Sequence, residues 1–210
     1  MAAAQSQHQK NLWQAQVAKA YDACADAYLE AKSDNALAPY LRRLLDRLPN
    51  SALIADLGCG AGYPIAYRML QAGHQVIGAD ISRAQLLLAA ERVPQMPSLE
   101  MDLLSPAFPD QAFDAVLSLY AIFHVPREQH RAILGRMRDM LKPGGYLLVT
   151  LGAGDWEGQD AFHGVSMRWS HYGPDTYLPM LQALGLRVCH QEVDVSAEER
   201  HLVVLAQRPA

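Results

Sequence analysis

A chain of 210 residues, half of them hydrophobic, can bury one sizeable core, and its length fits one domain with a helical extension better than two domains. A formal net charge of −4 leaves no electrostatic footprint for nucleic acid. Cys24, Cys59 and Cys189 are odd in number and widely spaced, which argues against a disulfide framework and a zinc site, while the absence of a membrane-length apolar run or of a signal-type apolar core in residues 1–16 makes the cytoplasm the expected compartment.

Residues 1 to about 10 are Ala/Gln-rich and are expected to fray. From Leu12 to Ala31, the positions Trp13, Val17, Tyr21, Ala25 and Tyr28 recur at helical spacing, which predicts an amphipathic helix ahead of the sheet, placed to act as a lid. Pro39 opens a second helix with Leu41, Leu44, Leu45 and Leu48 along one face, stopped at Pro49-Asn50.

The chain is organised around the next stretch, Leu53-Ile54-Ala55-Asp56-Leu57-Gly58-Cys59-Gly60-Ala61-Gly62. A short apolar run bounded by turn residues reads as a buried strand of a parallel sheet. The alternating glycines remove Cβ where the chain turns and a ligand approaches, and a helix expected from Ala61 points its N–H groups at that ligand. Gln75-Val76-Ile77-Gly78-Ala79-Asp80 repeats the pattern, ending in an acid about twenty residues after the glycines, where dinucleotide-binding folds hold a ribose. A full G-x-G-x-x-G fingerprint, however, needs glycine at position 63, where Tyr63 stands, and a pyrophosphate would lie against Asp56. S-adenosylmethionine has no phosphate and carries an ammonium and a sulfonium, so an acid beside the glycines attracts it.

Further elements alternate: a helix from Arg83 capped by Ser82 with Gln85, a strand Leu99–Met101, a strand Phe113–Leu119, a helix from Glu128 and a strand Gly145–Leu151. Pro174 opens the last helix and Gly185 closes it, ahead of Leu186–Asp194 and His201–Gln207, an antiparallel pair about the turn Ser196-Ala197-Glu198-Glu199-Arg200. The alternation predicts an α/β fold with a doubly wound, mostly parallel sheet. Arg127, Arg131, Arg136, Arg138 and Lys142 read as the wet face of a helix rather than a binding patch.

Five segments in order resemble the motifs of the class I (Rossmann-like) S-adenosylmethionine-dependent methyltransferases: 53–62, Gly78-Ala79-Asp80-Ile81-Ser82, Glu100-Met101-Asp102-Leu103, Ala112–Ser118 and Leu141–Val149. The resemblance implies a seven-stranded sheet over 51–210, preceded by a lid segment 1–50, all within one domain. It implies that Asp56, Gly58, Cys59, Gly60, Gly62 and Leu119 bind the cofactor, that Asp80 holds the ribose hydroxyls with Ile81 on adenine, and that Asp102 receives the adenine amino group while the Leu103 N–H meets the ring. Tyr21 and Tyr28 either close over the methionine end or are ordinary packing residues.

Ligands of open α/β sheets bind at the carboxyl ends of the strands, so the methyl acceptor is expected above Leu119, Leu151 and the lid. The Asn/Asp-Pro-Pro-aromatic tetrad of methyltransferases acting on adenine, cytosine or glutamine nitrogens is missing from Ser118–His124. The long connection 152–172 reads as an acceptor loop, with Trp156, Trp169 and Tyr172 as substrate contacts alongside Tyr120; Gly154-Asp155-Trp156-Glu157 and Trp169-Ser170-His171-Tyr172 resemble segments of a bacterial small-molecule subgroup. His124 and His171 are the candidate bases, the alternative for each being a histidine bonded to backbone or solvent. Scattered histidines predict no metal. The expected activity is methyl transfer to O, N or S of a small molecule, leaving S-adenosylhomocysteine, by a monomer or homodimer with no nucleic-acid or membrane partner. The alternatives are another S-adenosylmethionine-using reaction, such as a cyclisation or lyase step, and a non-catalytic binding protein.

Overall fold

The structure, a computed structural model, describes residues 2–31, 37–195 and 200–210. Its N-terminal segment is helical: α1 (Ala2–Ala23), α2 (Ala25–Ala31) and α3 (Ala38–Leu45). α1 runs back to Ala2, through residues whose composition suggests fraying, and the single helix expected to Ala31 is broken at Cys24.

Then follow β1 (Leu53–Leu57), α4 (Ile65–Gln71), β2 (Gln75–Asp80), α5 (Arg83–Arg92), β3 (Ser98–Glu100), β4 (Phe113–Ser118), α6 (His130–Met140), β5 (Leu141–Gly152), β6 (Trp156–Phe162), β7 (Val165–His171), α7 (Pro174–Ala183), β8 (Arg187–Asp194) and β9 (His201–Gln207). The main sheet has seven strands in the order β3-β2-β1-β4-β5-β9-β8, with β9 antiparallel to both neighbours and the remaining pairs parallel. The doubly wound, mostly parallel sheet expected from the alternation is therefore present, and its order reverses between β1 and β4. That reversal opens a crevice at the carboxyl ends of the two strands, where the glycines lie.

Burial on both faces explains the near-continuous apolar strands. Ala55 and Leu57 of β1, Val116 of β4 and Leu147 and Val149 of β5 pack on one face with Met137 and Tyr177. Ile54, Leu117, Leu148 and Leu205 pack on the other with Leu41 and Leu44 of α3.

Two segments differ from the sequence expectation. The helix expected from Ala61 starts at Ile65, because Gly60 and Gly62 have φ of +53° and +70°, a left-handed backbone that postpones helix formation. The connection 152–172 holds a two-stranded antiparallel hairpin, β6 paired with β7 from Trp156↔His171 to Phe162↔Val165, turned through His163 and Gly164 at φ of +46° and +83°. Four residues of the turn expected between β8 and β9, 196–199, lie outside the described residues.

α1 is fastened to the core on two sides. Asp22 accepts from the Ser82 hydroxyl at 2.6 Å and the Ala84 N–H at 3.0 Å, placing a carboxylate at the positive end of α5. Trp13 donates its indole N–H to the His124 carbonyl at 2.8 Å, and the Arg168 guanidinium of β7 lies 4.8 Å from the Trp13 ring centroid.

Candidate active site

The turn after β1 is shaped by contacts that exclude side chains. Gly58 has φ +78°, and a Cβ there would lie 2.3 Å from the Ala121 Cβ. Its N–H and that of Cys59 donate to the Ala79 carbonyl at 2.7 and 3.0 Å, tying the loop to the end of β2. Asp80 completes the tie: one carboxylate oxygen accepts from the Gly60 N–H at 2.7 Å and the other from the Ser82 N–H at 2.9 Å.

A cavity with an empty volume of about 560 Å³ lies over this loop. Gly58, Gly60, Asp80 and Ile81 line one side, Met101 and Leu103 a second, and Leu119, Tyr120 and Ala121 the floor beyond β4. Gln14, Val17 and Tyr21 of α1, Tyr28 of α2 and Gln85 of α5 roof it, and His124 with Val125 closes the far end. Both lid tyrosines thus face the cavity, their rings 5.4 Å apart edge to face.

Tyr120 has φ +60°, a left-handed backbone that a bulky residue adopts at a cost of order 1–3 kcal/mol; its N–H donates to the buried Thr150 hydroxyl. The strain sits at the carboxyl end of β4, where it turns the ring toward the ligand crevice.

His124 is 4% exposed. Its Nδ1 lies 2.8 Å from the Arg168 carbonyl, an acceptor only, so Nδ1 carries the proton and Nε2 accepts the Tyr21 hydroxyl at 2.8 Å. Burial, outweighing the carbonyl bond, pushes the His124 imidazole down to about 4. His130 repeats the pattern in the core: Nε2–H donates to the Val125 carbonyl at 2.9 Å, Nδ1 accepts the Tyr177 hydroxyl at 2.7 Å, and burial holds it at about 4 as well.

His171 is elsewhere. With Trp156, Trp169, Phe123 and His201 it lines a second, more open cavity of about 830 Å³ beneath the β6–β7 hairpin. Its Nδ1 donates to the Gly154 carbonyl at 2.6 Å, leaving Nε2 as the acceptor, and its ring stacks on Trp156 with centroids 6.3 Å apart. Tyr120 links the two cavities, its ring edge-on to His201 at 5.0 Å.

Several expected contacts lie behind the cavity walls. Asp56 is buried in β1, paired in register with Gly78 and Leu117; Cys59 and Gly62 lie beside it in the loop, and none of the three lines the cavity. Asp102 sits between Met101 and Leu103, which do; one of its oxygens accepts the Leu104 N–H at 2.9 Å, and burial holds its carboxyl above the usual range. Tyr172 lines neither cavity: it follows the end of β7, packs edge-on against Tyr177 and lies under the Arg127 guanidinium. Gln14, Gln85, Met101 and Val125 are lining residues that sequence reading passed over. Gln14 was detectable, lying three residues before Val17 and seven before Tyr21 on the same helix face.

Residues 54–145 match a family described as a methyltransferase domain. A trans-aconitate 2-methyltransferase of Variovorax paradoxus is 36% identical over 107 residues, 50% of this chain and 40% of that protein. A tRNA (carboxymethyluridine(34)-5-O)-methyltransferase of Arabidopsis thaliana is 28% identical over 142 residues, 67% of this chain and 33% of that protein. The chain thus spans less than half the length of these relatives. A 1,6-didemethyltoxoflavin-N1-methyltransferase of Burkholderia thailandensis, solved with 1,6-didemethyltoxoflavin and S-adenosylhomocysteine, superposes with a TM-score of 0.74 at 18% identity, covering 97% of this chain and 90% of that one.

The chain thus matches a methyltransferase domain over residues 54–145 and has the fold of the class I, S-adenosylmethionine-dependent methyltransferases. The cofactor of this class is S-adenosylmethionine, and the residues here fit it: a tight glycine turn at Gly58 and Gly60 lining the cavity, the Asp80 carboxylate beside it, and Ile81, Met101 and Leu103 as apolar lining.

Proposed function

We propose that the chain transfers a methyl group from S-adenosylmethionine to O, N or S of a small molecule. One observation carries this: a single cavity joins the Gly58, Gly60 and Asp80 cradle to a roof of Tyr21 and Tyr28 and an end wall at His124. A site roofed by helix and walled by aromatic rings suits a small acceptor better than a folded macromolecule. Of Arg127, Arg131, Arg136, Arg138 and Lys142, the nearest thing to a basic face, four pair with carboxylates, Arg127 with Glu157, Arg136 with Asp110, Arg138 with Asp139 and Lys142 with Asp114, which favours a partner other than nucleic acid. Among the described residues no helix is long and apolar enough to cross a membrane.

Bound in the cavity, the cofactor supplies an electrophilic methyl group on sulfur. The protein's part is to hold the two reactants in line and exclude water. Asp80 takes the ribose hydroxyls, Ile81 and Leu103 flank the adenine with Asp102 behind it, and the loop 58–62 with Asp56 behind it faces the methionine end. The acceptor approaches past Tyr120 from the cavity of Trp156, Trp169 and His171. Neutral His124 fixes the Tyr21 hydroxyl and is a positioning residue; His171, with Nε2 as its acceptor atom, is the base for acceptors that must lose a proton.

Formation of S-adenosylhomocysteine from S-adenosylmethionine is expected with one class from a panel of amines, phenols, carboxylic acids and thiols. Tyr21→Phe is expected to lower kcat by about tenfold to a hundredfold with little change in cofactor affinity. Turnover with transfer RNA alone would contradict the small-molecule reading.

A further inference from the structure

Two glutamine side chains stand out among the buried polar groups. Gln85 is 1% exposed and Gln14 is 5% exposed, and both line the cavity over the glycine loop. Among the described residues, neither Nε2 nor Oε1 of Gln85 has a hydrogen-bond partner, and nor does Nε2 of Gln14. Gln85 occupies the third helical position of α5, where a capping-box residue turns its side chain back to the cap. Here only half the box forms: the Gln85 N–H donates to the Ser82 hydroxyl at 3.2 Å, while the side-chain amide stays out of the cap.

A buried amide with donor and acceptor both unsatisfied is costly to keep, and such groups are rare in folded proteins. The group that satisfies it must offer an acceptor and a donor side by side. Within S-adenosylmethionine the carboxylate only accepts and the ammonium only donates, and the ribose hydroxyls belong to Asp80. Adenine offers such a pair on two edges, N1 or N7 accepting beside the N6 amino group; with the N1 edge assigned to Asp102 and Leu103, the N7 edge is left, and it is one that a glutamine amide engages with two hydrogen bonds. The location agrees: Gln85 lies in the first turn of α5, four residues on from Ile81 and five from Asp80, and shares the cavity with Met101 and Leu103, the apolar walls a purine needs.

We propose that Gln85 reads the N7 and N6 edge of the cofactor's adenine, donating from Nε2 to N7 and accepting at Oε1 from the amino group. Gln14 supplies a further donor from α1 to a ring nitrogen, so the base fastens α1 to α5. The assignment rests on the S-adenosylmethionine reading of the cavity and adds a base-selecting contact to it.

The test is calorimetric titration of the full chain with S-adenosylhomocysteine and with its 7-deaza analogue, which has C–H in place of N7. The wild-type chain is expected to bind the analogue about tenfold more weakly. Gln85→Met is expected to bind the two alike, with an affinity near that of wild type for the analogue. Its ligand-free melting temperature should also rise, since the change removes two unsatisfied buried atoms at nearly constant volume. Equal wild-type affinities, or a tenfold gap that persists in Gln85→Met, would overturn the assignment. If Gln85→Met does not fold, the wild-type comparison and Gln14→Met, expected to weaken S-adenosylhomocysteine severalfold, decide it. No binding of S-adenosylhomocysteine by the wild-type chain would instead refute the cofactor reading itself.

Discussion

Replacing Asp80 with alanine is expected to weaken S-adenosylhomocysteine binding by a hundredfold or more, on the order of two charge-assisted hydrogen bonds at roughly 1.5–3 kcal/mol each. The reason is that Asp80 has two tasks. It offers a carboxylate to the ribose hydroxyls at the end of β2, and it holds the Gly60 and Ser82 N–H groups at 2.7 and 2.9 Å. Alanine removes the ligand's partner and frees the glycine loop together. Asp80→Asn keeps one acceptor oxygen and the shape, and is expected to fall between alanine and wild type. Titration calorimetry on the three proteins checks the order; an affinity for Asp80→Ala within a few-fold of wild type would remove the ribose role.

Acid is expected to destabilise the fold well above the range in which carboxylates protonate. His124 and His130 are held at about 4 by burial, against about 6.5 in an unfolded chain. A depressed histidine favours the native state while it stays neutral, so its contribution is fully present above pH 6.5 and is lost as pH falls toward 4, the unfolded chain taking up protons that the native chain refuses. Between pH 7 and pH 5 each histidine accounts for roughly 2 kcal/mol. Asp114, held below the usual carboxylate range by Lys142 and the Leu53 N–H against the opposing effect of burial, acts only below pH 4, whereas His74, lowered by burial, adds to the loss in this window and Asp102, raised by burial, opposes it. Urea midpoints should therefore drop steeply between pH 7 and pH 5, and the drop should be clearly smaller in His130→Gln. A flat profile above pH 5 would mean that the histidines are solvated or protonated in the native state.

The sheet was legible because its signals are local. Apolar runs ended by Asp56 and Asp80, and glycines at alternate positions, mark strand ends and a tight turn on any reading of the chain. Helical spacing put Tyr21 and Tyr28 on one face of the N-terminal segment, with the family resemblance setting closure over the cofactor beside ordinary packing, and the rule that ligands sit at strand carboxyl ends pointed to Leu119 and Tyr120. The β6–β7 hairpin was not legible: its exposed strand Trp156–Phe162 carries Glu157, Gln159 and Asp160, a polar composition that reads as loop. Its His163-Gly164 turn gave only a weak hairpin signal. Tyr172, expected as an acceptor contact, lines neither cavity. Trp169 and His171 are two apart on β7 and share a face, whereas Tyr172 falls past the strand end and turns to Tyr177. Gln85 was read as a cap residue, because sequence spacing shows which backbone groups a side chain can reach and not whether it chooses them.

The most direct measurement is the thermal unfolding of the full chain with S-adenosylmethionine, S-adenosylhomocysteine and NAD added separately, since a ligand that binds only the native state raises its melting temperature. Stabilisation by both adenosyl compounds and not by NAD is the result predicted here. Stabilisation by NAD, or by none of the three, would contradict the account at its base.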